Sequence, residues 1–195
     1  ISKKDLQSGT IRLPAYRALY LDHILKEGPG ITYYRDQLFK SMVRAVKTVE
    51  DSDEPVPARF EAILREYQKT GFRWMKTLDK CGFGGILADD MGLGKTIQVI
   101  ALFEDTYSSG EKAPSLVVCP ASLVYNWEQE IQKFAPDLKV RSVVGTGPQR
   151  LELLEKIKED PSGCQILITS YDLLKRDIAH YEGIDFRFQI IDEAQ

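Results

Sequence analysis

The stretch Leu87-Ala88-Asp89-Asp90-Met91-Gly92-Leu93-Gly94-Lys95-Thr96 decides how the rest of this chain is read. A short apolar run, Gly85-Ile86-Leu87-Ala88, leads into it and predicts a strand, while Lys95 to Tyr107 has helical periodicity. Strand, glycine-rich loop and helix in that order are the context of a phosphate-binding loop. Gly92 and Gly94 let the backbone turn so that the N–H groups of Asp90 to Thr96, Met91 and Leu93 included, can converge on phosphate oxygens. The helix opening at Lys95 adds the positive end of its dipole. The Lys95 ammonium supplies a point charge for β- and γ-phosphates, and the Thr96 hydroxyl is a ligand for Mg²⁺. One departure stands out. The pattern G-x-x-x-x-G-K-[ST] asks for glycine where this chain has Asp89. A glycine-rich turn into an ordinary helix is the plain alternative.

About a hundred residues further on, Phe188-Gln189-Ile190-Ile191-Asp192-Glu193-Ala194-Gln195 reads as an apolar strand ending in two carboxylates. In a parallel sheet, ligands sit beyond the carboxyl ends of the strands, so both carboxylates are expected at the edge that holds the phosphate loop. Asp192 suits the Mg²⁺ of a bound triphosphate. Glu193 suits the orientation or deprotonation of an attacking water. Alone, an acidic pair after a strand is usually a solvated turn; with the loop it becomes a catalytic pair.

Between the two motifs, strands and helices alternate. Strands are predicted at Ser115–Cys119, Lys139–Val144 and Gln165–Thr169, and helices at Ser122–Phe134, Arg150–Lys158 and Asp172–Ala179. Such alternation implies βαβ units and a parallel sheet flanked by helices, an α/β fold. Upstream, Ala15–Leu25 and Tyr33–Val49 read as helices around a Gly28-Pro29-Gly30 break, with a short strand at Thr10–Leu13. Glu50–Pro57 reads as a linker. Phe60, Ile63, Leu64 and Tyr67 then share one face of a further helix, with Gly82 beyond its end. The expected division is an accessory helical segment, residues 1–57, and a nucleotide-binding domain, residues 58–195.

The 195 residues are 43% hydrophobic and 28% charged, enough for a core. No apolar run approaches the roughly 20 residues of a spanning helix, so no membrane partner is expected. The three cysteines, Cys81, Cys119 and Cys164, form no C-x-x-C and fit a reducing cytoplasm. With a net charge of −3, DNA would have to be held by a local patch rather than by bulk electrostatics. The chain lacks a starting methionine and is expected to be an internal piece of a longer one. Trp74 and Trp127 lie in helical segments among apolar neighbours, which favours packing over base stacking.

Taken together, these segments resemble the SWI/SNF-related helicase-like ATPases of helicase superfamily two, over roughly Phe60 to the end. Leu87 to Thr96 resembles their first motif, in which Asp in place of the first glycine is usual. Leu64-Arg65-Glu66-Tyr67-Gln68 is similar to the upstream Q-type motif. Leu116 to Phe134, with Cys119-Pro120-Ala121-Ser122-Leu123 and Asn126-Trp127, is similar to motif Ia, and Ile168-Thr169-Ser170-Tyr171-Asp172 to motif Ib. Asp192-Glu193-Ala194-Gln195 resembles motif II, with Gln195 where many members have His. Residues 1–59 resemble the segment that precedes the motor in bacterial members.

The resemblance implies a first RecA-like lobe that works with a second lobe to hydrolyse ATP with Mg²⁺. It also implies movement along double-stranded DNA, remodelling of a DNA-bound protein complex, and a bacterial cytosol or nucleoid as location. Gln68 would read the adenine edge, since an amide donates and accepts at once. Ser122, Ser170 and Tyr171 would touch DNA phosphates, contacts that carry no sequence information. For each, a simple helix cap is the alternative. An isolated lobe would lack the second lobe's arginines and turn over almost no ATP. Two other classes stay in view: a non-motor phosphate-loop protein, and an interaction module with a dead site. The upstream and intermediate motifs argue against the first. The intact Lys95, Thr96, Asp192 and Glu193 argue against the second.

Overall fold

A computed structural model describes residues 17–27, 34–47 and 53–194. The expected strand at Thr10–Leu13, the Gly28–Gly30 break and Gln195 lie outside the described residues. The chain divides into two compact units. One takes the residues up to Pro55 together with Arg65–Asp90; the other takes Val56–Leu64 together with Met91–Gln195. One boundary between the units falls inside the phosphate loop itself.

The first unit is helical. It holds α1 (Ala18–Glu27), α2 (Gln37–Lys47) and α4 (Glu66–Lys80), with α2 packed on both α1 and α4. Asp36 caps α2: its carboxylate accepts from the Phe39 N–H at 2.7 Å. The fully buried Asp22 of α1 is paired with Arg35. Within this unit the segment before Pro55 is tied to α4, where Arg73 Nε donates to the Glu54 carbonyl at 3.2 Å and Lys80 pairs with the Glu54 carboxylate.

Two expectations fail in this region. The face Phe60–Ile63–Leu64–Tyr67 is not one helix. A short α3 (Ala58–Glu61) ends, the chain turns at Ala62–Leu64, and α4 begins after an extended Arg65. Phe60 and Leu64 are buried, whereas Ile63 and Tyr67 are about 40% exposed, so the apolar spacing spans two elements. The turn is stabilised by Gln68, whose Oε1 accepts from the Arg65 N–H at 2.9 Å. Gly71 lies within α4 without breaking it. The second failure is the strand at Gly85–Ala88, which joins no sheet; Ile86 is 86% exposed. Four residues with a glycine among them offer little apolar area to offset the ordering of a strand.

The second unit is an α/β layer structure. It holds α3, α5 (Lys95–Ser108), β1 (Ser115–Cys119), α6 (Val124–Phe134), β2 (Val140–Ser142), α7 (Gly147–Glu159), β3 (Ile166–Ser170), α8 (Tyr171–Asp177) and β4 (Gln189–Ile191). The four strands are parallel, in the order β2-β3-β1-β4. Val117 of β1 lies opposite Ile168 of β3 on one side and Ile190 of β4 on the other. Every residue of β1 and β3 is buried, as a parallel sheet covered on both faces requires. On one face Leu116, Val118 and Leu167 pack with Leu154 and Ile157 of α7 and with Tyr181. Trp127 and Ile131 bury one side of α6, which packs on β2 and β3. Ser122 does not cap α6; it sits exposed in a 3₁₀ turn, Ala121–Leu123, that precedes it.

Two of the three cysteines are closed off. Burial pushes the Cys119 thiol up to about 11 and the Cys164 thiol up to about 12. Cys81, half-exposed, is raised by burial as well. Thiolate is the reactive form, so a thiol reagent at pH 8 should modify Cys81 alone in the native chain and all three cysteines in denaturant. Titration with a chromogenic disulfide checks this; rapid modification of two or more native thiols would contradict the packing. Among the described residues, no helix is long and apolar enough to cross a membrane.

Candidate nucleotide site

Gly92 and Gly94 both adopt left-handed backbone conformations, with φ of 81° and 73°. Side chains with a Cβ rarely take that region, so the two glycines are what permits the turn into α5. Gly94 occupies the position before the helix and, having no side chain, places no cap of its own over the N–H groups of the first turn. Those N–H groups and the helix dipole leave an anion-binding end. Gln98, fully buried one turn later, donates to the Gly94 carbonyl at 3.4 Å and holds the loop against the helix. Lys95 and Thr96 form the first turn and are partly exposed; Asp90, Met91 and Leu93 are exposed.

Asp192 follows β4. Its backbone N–H donates to the Val118 carbonyl of β1 at 2.9 Å, so the sheet hydrogen bonding extends through it. Its carboxylate Oδ2 accepts from the Trp127 indole N–H at 2.8 Å. Its carbonyl accepts from the Tyr171 hydroxyl. Tyr171 is pushed up by burial and by the negative charges of Asp192 and Glu193, which keeps the hydroxyl a donor. The charge of Asp192 also adds to the upward shift of Cys119. Glu193 is exposed and has φ of 51°, the one described residue other than glycine with positive φ. Such a conformation costs on the order of 1–3 kcal/mol and is commonest at functional sites.

The second unit therefore holds Met91–Thr96 and Asp192–Glu193 together, on a helix start and a strand end of one sheet. The helix α5 feeds β1, and a helix on a parallel sheet runs antiparallel to the strand it feeds. Its first turn is thereby assigned to the carboxyl edge of the strands, where Asp192 also sits. Gln68 belongs to the other unit, buried at the start of α4. Ser170 is buried, and its hydroxyl accepts from the Leu173 N–H at 3.3 Å, so it serves as the cap of α8. Ser122 and Tyr171 are accessible.

Mg²⁺ takes oxygen ligands, and on a nucleotide it needs only one or two from the protein. The Thr96 hydroxyl and the Asp192 carboxylate are such donors. Oδ1 of Asp192 has no hydrogen-bond partner among the described residues, which leaves a lone-pair face for a cation. The donor set fits the ion. Sequence reasoning did not anticipate the link from Trp127 to Asp192. Its indole must find an acceptor once buried, but nothing in the spacing says which one.

A loop with two left-handed glycines opening a helix, with an acidic strand end on the same parallel sheet, defines the class as an α/β fold of the phosphate-loop type. The chain belongs to the SNF2-related family: the SNF2-related domain model matches residues 67–195, and a bacterial SNF2 helicase-associated model matches residues 1–57. An ATP-dependent helicase of Mycoplasma pneumoniae is 40% identical over 202 residues, covering 98% of this chain and 18% of that protein. The putative ATP-dependent helicase/translocase YwqA of Bacillus subtilis is 38% identical over 168 residues, covering 85% of this chain and 18% of that protein. Two solved structures of the Sulfolobus solfataricus SWI2/SNF2 ATPase core are also similar. The core in complex with double-stranded DNA is 44% identical with a TM-score of 0.58, over 67% of this chain and 26% of that one. The core domain alone is 36% identical with a TM-score of 0.58, over 85% and 29%. The fold is thus the RecA-like fold of those cores, and the chain spans about a fifth of the length of these helicase relatives. Family membership argues against the reading as a non-motor phosphate-loop protein.

Proposed function

We propose that this chain is the ATP-binding lobe of a DNA-dependent ATPase that moves on double-stranded DNA or remodels protein–DNA complexes. The observation that carries the reading is the pair of left-handed glycines before α5, in the same unit as the strand-end Asp192 and Glu193. Backbone N–H groups from Met91 to Thr96 cradle the phosphates, and Lys95 neutralises the terminal ones. Thr96 and Asp192 would hold Mg²⁺, which would supply positive charge to offset that of the phosphates. Glu193 orients the water that attacks. Gln68 recognises adenine. Ser122 and Tyr171 offer exposed hydroxyls to DNA phosphates, and Ser170 sets the helix start that carries Tyr171. A bacterial cytosol or nucleoid is the setting that fits the bacterial associated segment.

ATP hydrolysis by this chain, and by a protein of the relatives' full length that carries it, tests the reading. The expected result is near-background turnover by the chain. The longer protein should be stimulated at least tenfold by duplex DNA, as an arginine supplied from a second lobe is worth about 10³–10⁵ in rate. Equal turnover with and without DNA would overturn it.

A further inference from the structure

Three elements meet at Asp192. Its backbone N–H is held by β1, its carbonyl by the Tyr171 hydroxyl of α8, and its carboxylate by the Trp127 indole of α6. The backbone bonds fix where the residue sits. They leave the carboxylate free to rotate, since the terminal torsion of an aspartate is broad. Among the described residues, only the indole N–H constrains that rotation. Trp127 is 3% exposed and its side chain has a single N–H, so it engages one oxygen, Oδ2.

We propose that Trp127 is a positioning residue for the nucleotide-bound metal: by holding Oδ2 it presents Oδ1 of Asp192 in one orientation. This rests on the assignment of Asp192 to the metal in the proposed function. The physical reason is the strictness of Mg²⁺, which demands near-octahedral geometry and gives up water reluctantly. A ligand that rotates pays an ordering cost on binding; one already held does not. Groups that orient a ligand in this way typically alter metal affinity by about 10- to 100-fold. The bond also gives the buried indole N–H the acceptor it needs, so packing and positioning are served by one contact.

Trp127→Phe keeps a buried aromatic ring and removes the N–H. The experiment compares the affinities of the parent and variant chains for Mn²⁺·ATP and for ATP in excess chelator. The expected result is about a tenfold loss for Mn²⁺·ATP with metal-free ATP unchanged within twofold. Equal losses for both, or no loss for either, would overturn the inference while leaving the phosphate site intact. No nucleotide binding by the parent would instead overturn the site reading, and the inference with it. Nitrogen-15 spectra give a second measure should Trp127→Phe fold poorly. The Trp127 indole resonance, distinguished from that of Trp74 by a Trp74→Phe variant, should move in Asp192→Ala and broaden on adding Mn²⁺·ATP to the parent. An indole resonance insensitive to both would contradict the proposal.

Discussion

Lys95→Ala should lower ATP turnover by the full-length protein on the order of 100- to 1,000-fold, the range seen when one preorganised charge-stabilising donor is removed from an active site. Lys95 opens α5 directly after the left-handed Gly94, and in the proposed site its ammonium and the first-turn N–H groups would address the same anion. The N–H groups remain in the variant, but the point charge that strengthens as the γ-phosphate departs does not. Steady-state phosphate release in the presence of duplex DNA measures the effect. Lys95→Arg should rescue poorly, since a planar guanidinium does not replace a compact ammonium in a tight loop. The fold should be untouched, because Lys95 is partly exposed. A variant with near-parental turnover would remove Lys95 from the site.

Asp177→Ala should destabilise the second unit by about 3–5 kcal/mol, the usual effect of leaving one partner of a buried ion pair alone. Arg150 of α7 and Asp177 of α8 have side chains only 4% and 8% exposed. The guanidinium holds the carboxylate with two hydrogen bonds, Nε to Oδ2 at 2.6 Å and Nη2 to Oδ1 at 3.1 Å. A third runs from Nη1 to the Gly145 carbonyl at 2.6 Å. Removing Asp177 strands a buried cation that cannot neutralise itself. Replacing both residues with apolar ones of similar volume should cost far less. Urea unfolding of the parent and the two variants separates these outcomes.

The same pair predicts a pH dependence. The Arg150 hydrogen bonds hold the Asp177 carboxyl below the ordinary carboxylate range, against the opposing effect of burial. A carboxylate whose folded value is depressed contributes stability above its unfolded value, roughly pH 4. That contribution is lost as pH falls below this point and through the folded value. Between pH 6 and pH 8 it is constant. In Asp177→Ala the acid loss of stability should be correspondingly smaller between about pH 4 and pH 2.

Where local chemistry and long-range packing agree, the sequence was legible. The buried runs of β1 and β3 are continuous and β-branched, so they show without a partner being known. The phosphate loop is legible for the same reason: only glycine takes its backbone comfortably, and the helix follows at once. Gly85–Ala88 was not legible. Its apolar residues match a strand, but a strand exists only when a neighbour supplies its hydrogen bonds, and Ile86 is exposed instead. The break at Ala62–Leu64 was hidden because Phe60 and Leu64 are spaced as on one helix while the buried Gln68 starts a new one. Ser122 and Ser170 looked alike, each after a strand ending in an apolar run. Only Ser170 has an N–H at capping distance. At the site, the identities of the phosphate and acidic residues could be read, but the grip of Trp127 and Tyr171 on Asp192 joins residues 65 and 21 positions apart and emerges only from the folded sheet.

In the proposed function, a phosphate site is already built within this one lobe. Calorimetric titration of Mg·ATP into the chain, beside Lys95→Ala, tests it most directly. The expected result is weak but measurable binding by the parent and its loss in the variant. Absence of binding by the parent, or equal binding by both, would contradict it.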